Sequence, residues 1–281
     1  MIKHPTTYIF YFLSALLFIP TASSANKYRD SVYTVKTVVL DAGHGGPISG
    51  APGATSMEKD IALQVVLKLG KAIEREMPGV KVLYTRTTDV NVELYKRIEL
   101  ANKNKADLFI SVHCNATPAT RVRRRNSKGK YYYTTVQNKS TRGTETFVSG
   151  FHRLGEQDAA IRENADILLE DNYQENYQGF DPNDPASYIV FSLMKNQFRG
   201  QSIKLASLIQ EQYAKSGRED RGVKELGLAV LAAAGMPAVL TEIGFISNPD
   251  EETYMKSERG QAEIVKNLLD AIKAYKRQVE H

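Results

Sequence analysis

The chain has 281 residues, of which 42% are hydrophobic and 25% are charged. This balance is typical of a folded domain and excludes a disordered chain, which has too few apolar residues to form a core. The net charge of +5 favours an anionic partner. The charge alone does not distinguish nucleic acid from another anionic polymer as that partner. Cys114 is the only cysteine, which excludes a disulfide within the chain.

The first 25 residues have the layout of a secretory signal peptide. Lys3 precedes an apolar run at 8–19, which a proline and the small residues TASSA follow. The apolar run is shorter than the roughly 20 residues that a membrane-spanning helix needs. We therefore expect cleavage after Ala25, a linker at 26–35 and export to the periplasm or the cell-wall space. An uncleaved membrane anchor is the alternative.

Strand and helix patterns alternate through the next part of the chain. Apolar β-forming residues predict strands at 36–41, 80–84 and 107–113. Apolar residues at helical spacing predict helices at 58–76 and 91–104. This alternation is typical of βαβ units, in which helices cover a largely parallel sheet.

The middle of the chain is less regular. Residues 121–136 contain the turn sequence NSKG between two β-forming arms, which predicts an exposed hairpin. Another strand is predicted at 144–148. The segment 151–200 combines a short acidic helix with long polar loops, so we expect an insertion in the sheet framework.

The regular pattern returns after this segment. A helix is predicted at 202–215, short strands at 229–233 and 237–243, and an amphipathic C-terminal helix at 257–277. The fold class is therefore α/β, with a single domain at 36–277.

Four polar residues are predicted at the carboxyl end of the sheet, where open parallel sheets bind ligands. His44 follows the first strand between two glycines, and Glu58 begins the helix after it. His113 ends the third strand, and Glu242 ends the last one. Two imidazoles and a carboxylate suffice to bind a catalytic zinc ion, which leaves Glu242 as a free acid that can carry a proton.

Each of these residues also has a structural interpretation. Glu58 fits a capping box with Thr55 at the start of the helix. His44 is compatible with a turn, and His113 with a histidine buried in the core. Glu242 is harder to explain structurally, because an acid at the end of a buried strand loses hydration unless it has a partner. The shared edge favours a common site over four separate structural roles.

Two other features have open interpretations. Cys114 is expected to be a buried structural thiol, because neighbouring strand residues point to opposite faces and His113 takes the face of the site. The basic run Arg121–Lys130 is a candidate for contact with substrate carboxylates or with nucleic acid, and an inert charged surface is the simplest alternative.

Six fragments of the sequence occur in the order found in a known enzyme family. They are LDAGHGG, MEKDIAL, TRTTD, LFISVHCNA, GTETFV and PAVLTEIGFISN, and the similarity extends from Lys36 to Lys276. In this order they resemble the zinc-dependent N-acetylmuramoyl-L-alanine amidases of the AmiA/AmiB/AmiC type. These enzymes cleave the amide bond between N-acetylmuramic acid and the L-alanine of the stem peptide in peptidoglycan.

The resemblance implies a ligand set and a fold. It makes His44, Glu58 and His113 the ligands of one zinc ion, with Glu242 as the catalytic base and acid. It also implies a six-stranded, mainly parallel or mixed sheet with helices on both faces.

The resemblance also suggests roles for residues around this site. Asn115 and Glu145 lie in matched fragments and are candidates for substrate contact or for support of the ligands. In division-associated members of the family, a helix in this region blocks the zinc cleft until an activator protein displaces it. We therefore expect an autoinhibitory helix within 151–200, with Glu163 or Glu170 at the open metal position. A helical rim that only shapes the substrate groove is the alternative.

Three other functions remain compatible with the sequence. A zinc carboxypeptidase or deacetylase acting on cell-wall material would use the same ligands on a different bond. An inactive wall-binding regulator would keep the fold without turnover, and a nucleic-acid binder would rest on Arg121–Arg125 alone. We expect an exported peptidoglycan amidase without a nucleic-acid partner and without a membrane span after processing.

Overall fold

The computed structural model describes residues 33–150, 158–177, 179–184, 186–187 and 197–280. The predicted signal peptide lies outside these residues, as do parts of the predicted insertion. None of the helices in the described residues combines the length and the apolar character that a membrane span requires.

A six-stranded mixed sheet forms the centre of the fold. The strands are β1 (Thr37–Ala42), β2 (Lys81–Tyr84), β3 (Leu108–Asn115), β4 (Ala119–Arg125), β5 (Tyr131–Gln137), β6 (Thr144–Ser149), β7 (Asp220–Leu226) and β8 (Ala238–Phe245). The sheet has the spatial order β2-β1-β3-β8-β6-β7, and β4 and β5 pair separately as a hairpin. Neighbours in the sheet are parallel except β6 and β8, which are antiparallel.

Helices cover both faces of this sheet. The helices of the described residues are α1 (Glu58–Glu76), α2 (Leu94–Lys103), α3 (Asp158–Asn164), α4 (Tyr173–Asn176), α5 (Arg199–Lys215), α6 (Ala229–Ala232), α7 (Pro249–Lys256) and α8 (Glu258–Val279), and a 3-10 helix (Ala165–Leu169) follows α3 directly. Helices α1, α5 and α8 pack on the face that contains Leu40 and Ile110. Helices α2 and α6 pack on the face that contains Val39 and Phe109. The two faces follow the two-residue period of the strands, and the predicted fold class is confirmed.

The structure differs from the predicted elements in several places. The predicted strand at 229–233 is the short helix α6, because an apolar run of this length does not distinguish a strand from a buried helix. Strand β7 was not predicted, since it is an edge strand with the mostly polar sequence DRGVKEL. Helix α7 was not predicted either, although its start has the usual signals, an Asn248 cap followed by Pro249.

Candidate metal centre

The carboxyl ends of β1 and β3 bring two histidines and a carboxylate together. The rings of His44 and His113 lie edge to face with their centroids 4.9 Å apart. The Glu58 carboxylate lies between them, with Oε2 3.2 Å from Nε2 of His44 and Oε1 2.9 Å from Nδ1 of His113. Glu163 from α3 completes a buried group in which one potential ligand atom of each residue lies within 4.8 Å of the others. The structure thus places the three predicted ligands together and adds a fourth residue.

The donor chemistry of this group fits a zinc ion. Two imidazoles and carboxylate oxygens are the ligands that catalytic zinc prefers. Among the described residues, Nε2 of His44 and Oε2 of Glu163 are buried and make no hydrogen bond of suitable angle, although each lies close to a polar atom of the same group. Buried polar atoms of this kind need a partner, and a cation at the centre of the group would provide one.

The charges at the centre also favour a cation. Burial by itself lowers the pKa of His113, but the carboxylates of Glu163 and Glu58 outweigh it and raise the pKa to about 10. The same balance of burial and carboxylates raises the pKa of His44 well above its usual range. Burial opposes ionisation of both glutamates, yet the imidazoles lower the pKa of each below its ordinary value. A divalent cation would replace the protons that otherwise balance these carboxylates.

The loop after β1 holds His44 in an unusual backbone conformation. Its φ angle is 56°, in the left-handed region that residues other than glycine rarely adopt. A Cβ atom at Gly43 would lie 2.4 Å from Cε1 of His113, and one at Gly50 would lie 2.4 Å from Cδ2 of His44. These glycines are therefore needed because the backbone passes directly against the two rings, and the histidine in the loop is not merely a turn residue.

Two buried arginines hold this loop in place. Arg97 donates from Nη2 to the carbonyl oxygen of His44 at 2.9 Å and from Nη1 to Oδ1 of Asp41 at 2.8 Å. Arg86 donates from Nη2 to the carbonyl oxygen of Gly43 at 2.8 Å. Such bonds fix a strained conformation, because several partners would have to be released before it could relax. The sequence analysis did not identify either residue, although Arg97 occupies the apolar face of its predicted helix.

Glu58 is positioned by the start of α1. Its Oε2 accepts from the N–H of Ala51 at 2.8 Å, and its Oε1 accepts from the N–H of Cys114 at 2.9 Å. The alternative of a capping box with Thr55 is wrong, because α1 begins at Glu58 itself and the Thr55 hydroxyl donates to Glu252. The carboxylate is therefore free of a capping role and points at the histidines.

His44 has a further carboxylate partner in the segment after α3. Its Nδ1 lies 2.8 Å from Oδ2 of Asp166, on the 3-10 helix. A carboxylate at one ring nitrogen keeps the proton there and leaves the other nitrogen as the lone-pair donor. In this arrangement Nε2 of His44 is the atom available to a metal, and Asp166 is a site residue that the sequence analysis missed.

Glu242 lies beside His113 on the neighbouring strand. The two residues are opposite each other in the parallel register of β3 and β8, and Glu242 is fully buried. Its Oε1 accepts from Nη2 of Arg162 at 3.0 Å, whereas its Oε2 lacks a hydrogen bond within the described part of the chain. Burial raises its pKa well above the usual range, and Glu163 and Glu58 add to this effect while Arg162 opposes it. A buried carboxyl beside the metal group, with one oxygen that makes no hydrogen bond within the described residues, is suited to general acid–base work.

The two candidate autoinhibitory glutamates lie in different places. Oε2 of Glu163 is 2.8 Å from Nδ1 of His113 and 3.5 Å from Nε2 of His44. Glu170 instead accepts from the N–H of Leu94 and from the hydroxyl of Tyr177, at 2.8 and 2.7 Å. The expectation for Glu170 is therefore corrected, because its carboxylate caps the start of α2 and is not part of the metal group.

The remaining predicted residues lie around this group. Asn115 donates to Oε2 of Glu145 at 3.0 Å, and both side chains are buried. Oε1 of Glu145 is paired with Arg221 and Lys224, at 2.7 and 3.0 Å. Glu145 is also opposite Glu242 in the antiparallel register of β6 and β8. The register places Glu145 next to the candidate acid, and Asn115 contacts Glu145, while the roles of both stay predictions.

Cys114 is buried in the core on the side of α1, α5 and α8, as expected for a structural thiol. Burial raises its pKa well above the ordinary value, so the reactive thiolate is disfavoured. The residue is neither a member of the metal group nor activated as a nucleophile.

A cavity of about 760 Å³ opens beside the metal group. His44, Gly50 and Arg162 line one part of it, and Ala119 and Gln137 at the base of the hairpin line another. The cavity thus extends from His44 of the metal group to the base of the hairpin.

Comparisons with known proteins agree with this geometry. A family model described as N-acetylmuramoyl-L-alanine amidase matches residues 38–274. The chain is 30% identical to the N-acetylmuramoyl-L-alanine amidase AmiC of Escherichia coli over 240 residues, which are 85% of this chain and 52% of the relative. The chain thus spans about half the length of that relative.

Two solved structures have the same fold. An N-acetylmuramoyl-L-alanine amidase from Clostridium difficile 630 has a TM-score of 0.59 at 24% identity, covering 86% of this chain and 97% of that one. The CwlD amidase from Clostridioides difficile, in complex with the GerS lipoprotein, has a TM-score of 0.59 at 23% identity, covering 85% of this chain and 98% of that one. Because the family match spans most of the chain and contains the whole metal group, this protein belongs to the N-acetylmuramoyl-L-alanine amidase family.

Proposed function

We propose that the protein is a zinc-dependent N-acetylmuramoyl-L-alanine amidase that cleaves the bond between N-acetylmuramic acid and the stem peptide of peptidoglycan. The observation that carries this proposal is the buried cluster of His44, Glu58 and His113 next to an acid with a free oxygen, Glu242. The family of the chain supports the choice of bond.

Four residues of the chain would have roles in the proposed reaction. His44, Glu58 and His113 would hold the zinc ion, with Nε2 of His44 and Nδ1 of His113 as the nitrogen donors. When bound, zinc polarises an amide carbonyl and lowers the pKa of water. Glu242 would take up the proton of the attacking water on its free Oε2 and donate it to the departing alanine nitrogen.

We further propose that the segment containing α3 blocks this site in the resting protein. Glu163 contacts both histidines, and it therefore takes the space that a substrate carbonyl would need. The adjacent Arg162 binds the carboxylate of Glu242. A solved structure of the same fold is in complex with a lipoprotein, so a bound partner protein has a precedent there. We propose that such a partner displaces the segment in this protein. Peptidoglycan and such an activator are the proposed partners.

The location of the protein is part of the same proposal. An amidase that acts on peptidoglycan has to reach the wall, so we propose that the leader at 1–25 directs export and is removed. Amino-terminal sequencing of the secreted protein should then begin at Asn26, and retention of the leader in the membrane fraction would contradict the proposed processing.

Digestion of purified peptidoglycan tests the activity directly. We expect release of intact stem peptides with an alanine amino terminus, detected by mass spectrometry, and loss of release when a chelator is present. Release of single terminal amino acids or of acetate would instead identify a carboxypeptidase or a deacetylase.

A variant of the proposed acid tests the mechanism. Glu242→Gln should abolish hydrolysis while the zinc content, measured by elemental analysis, stays at that of the parent protein. Glu211→Gln removes an exposed carboxylate on α5 and serves as the control with unchanged activity. Appreciable hydrolysis by Glu242→Gln would contradict the assigned role.

A further inference from the structure

The positive charge of the protein is concentrated in the β4–β5 hairpin. Residues 119–137 contain six Lys and Arg residues and no Asp or Glu. This number exceeds the net charge of +5 of the whole chain, so the remainder of the chain carries a small net negative charge. The basic character is therefore a property of the hairpin and not of the surface in general.

One face of the hairpin combines arginine and tyrosine side chains. Residues opposite each other in an antiparallel pair share a face, and the pairs include Arg123 with Tyr133 and Arg125 with Tyr131. Arg121 belongs to the same face by the alternation of the strand. We call these five residues the arginine–tyrosine face.

The side chains of this face are ordered against one another. The guanidinium of Arg123 lies 3.7 Å from the ring centroid of Tyr131, and that of Arg121 lies 4.3 Å from the ring centroid of Tyr133. Tyr131 and Tyr133 are nevertheless 53% and 58% exposed. The stacking holds the arginines in fixed positions while their outer edges stay available for a ligand.

The stability of the fold does not explain this face. The hairpin pairs with itself and is separate from the central sheet, and an isolated two-stranded hairpin contributes little stability in water. Its guanidinium groups contact tyrosine rings and the carbonyl oxygen of Gly129, and the hairpin supplies no carboxylate to neutralise them. Exposed aromatic side chains in such a setting are typical of a binding surface.

The hairpin is continuous with the proposed active-site cavity. Its first and last residues, Ala119 and Gln137, line the cavity that also contains His44. The side chain of Gln137 donates to the carbonyl oxygen of Thr117 at 2.7 Å, which ties the base of the hairpin to the chain that leaves β3. A polymer with one amide bond at the metal group would therefore extend toward the hairpin.

We propose that the arginine–tyrosine face binds the peptidoglycan polymer outside the active site, and this proposal rests on the proposed function. Stem peptides carry carboxylates at regular intervals, and arginine forms strong charge-assisted hydrogen bonds with carboxylates. The flat apolar faces of the sugar rings fit against the exposed tyrosine rings. Contacts repeated along one polymer add to the contacts in the cavity, since the second contact is then intramolecular.

The test is binding to purified peptidoglycan without turnover. The full-length protein is mixed with insoluble peptidoglycan in the presence of a chelator, and the bound fraction is measured after sedimentation. The variant Arg121→Gln/Arg123→Gln/Arg125→Gln should bind about tenfold more weakly, because three charge-assisted contacts are lost. The matched control Lys71→Gln/Arg75→Gln/Lys266→Gln removes the same charge from exposed positions on α1 and α8 and should bind like the parent.

Further arms of the experiment separate charge from stacking. Peptidoglycan whose carboxylates have been converted to amides should bind the parent protein as weakly as unmodified peptidoglycan binds the triple variant. The variant Tyr131→Ser/Tyr133→Ser keeps all charges and should also bind more weakly. Equal binding by the triple arginine variant and its control, with thermal unfolding unchanged, would overturn the proposal, as would displacement of the protein from peptidoglycan by a trace of polynucleotide.

The result is independent of the proposed reaction. Binding is measured with the chelator present, whereas the reaction is measured as stem peptides released by the parent protein with zinc. Absence of release by the parent protein, and also by a folded variant without the residues 158–170 that are proposed to block the site, would refute the amidase and leave the binding result standing. Release with unaltered binding of the hairpin variant would refute only the role of the hairpin.

Discussion

The proposed block of the active site predicts that loosening α3 activates the protein. Asn164, the last residue of α3, is 1% exposed and lies next to Glu163 in the sequence. Its Nδ2 donates to the carbonyl oxygen of Gly227 at 2.7 Å, and its Oδ1 accepts from the N–H of Ala229 at 2.9 Å. These two bonds hold α3 against the loop that precedes α6, outside the metal group. Asn164→Ala therefore weakens the anchor of the segment without changing a ligand.

The size of the effect follows from the two bonds. Each buried group that loses its partner costs on the order of 1–3 kcal/mol. A total of about 2 kcal/mol would shift the equilibrium between the blocked and the open arrangement by a factor of about 30. The basal rate should then rise by about 10- to 100-fold, up to the limit at which the open arrangement predominates.

The assay is release of stem peptides from purified peptidoglycan in the absence of any partner protein. Asn267→Ala is the matched control, because Asn267 is also buried and its Nδ2 donates to Oγ of Ser216 at 2.8 Å, on the other face of the sheet. Both variants should lower the temperature of unfolding by a few degrees, and only Asn164→Ala should raise the rate. A rate for Asn164→Ala equal to that of the parent, with the folded structure retained, would refute the proposed block.

Three other changes have defined outcomes. Chelation should lower the temperature of unfolding, and added zinc should restore it, because a ligand that binds only the folded state stabilises it; an unchanged temperature would argue against a bound metal. Gly50→Ala should lower the zinc content and the stability, since the new Cβ would lie 2.4 Å from Cδ2 of His44 at a residue with φ of 65°, whereas Gly79→Ala, where nothing lies within 4 Å, should leave the zinc content unchanged. Burial disfavours the ionised form of Glu252, but hydrogen bonds from Ser56 and from the N–H groups of Thr55 and Ala54 lower its pKa to about 2. Glu252 thus stabilises the fold above the pKa of about 4.3 in the unfolded chain, and this contribution is lost as the pH falls toward 2. Glu252→Gln should therefore lower the free energy of unfolding by about 1–3 kcal/mol at pH 7, and urea unfolding should find a smaller difference from the parent at pH 3.

The strands of the sheet other than β7 and the approach of His44 to His113 could be predicted because local patterns determine them. An apolar run with β-branched and aromatic residues indicates a buried strand such as β3, and the residue that ends the strand lies at the carboxyl edge. The glycines beside His44 were also visible in the sequence. The reason for them was not, because Gly43 lies against the ring of His113 on β3 and Gly45 lies against the backbone of Val90, and both contacts come from distant parts of the sequence.

The supports of the site could not be predicted, since their partners lie far apart in the sequence. Arg97 donates a hydrogen bond to the carbonyl oxygen of His44, which lies 53 residues earlier in the sequence. Asp166 contacts the ring of the same histidine, 122 residues earlier. No periodicity records such a contact, and a charged residue on a helix is normally expected to face solvent. The same limit explains why Glu163 and Glu170 were equivalent in the sequence and differ only in the folded protein.

Two adjacent residues on α3 carry opposite charges, and each contacts a different part of the site: Glu163 the histidines and Arg162 the carboxylate of Glu242. Glu163 brings a carboxylate to the position that favours a cation, and Arg162 brings a guanidinium to the buried carboxylate of Glu242. The proposed block would therefore leave few charges without a partner, which is the condition under which ion pairs are tolerated in an interior. Removing α3 as a unit exposes both sets of charges to water, whereas removing either side chain alone leaves a buried charge unpaired. A partner protein that binds the segment and displaces it whole would avoid leaving a buried charge unpaired, because Arg162 and Glu163 would then leave the site together.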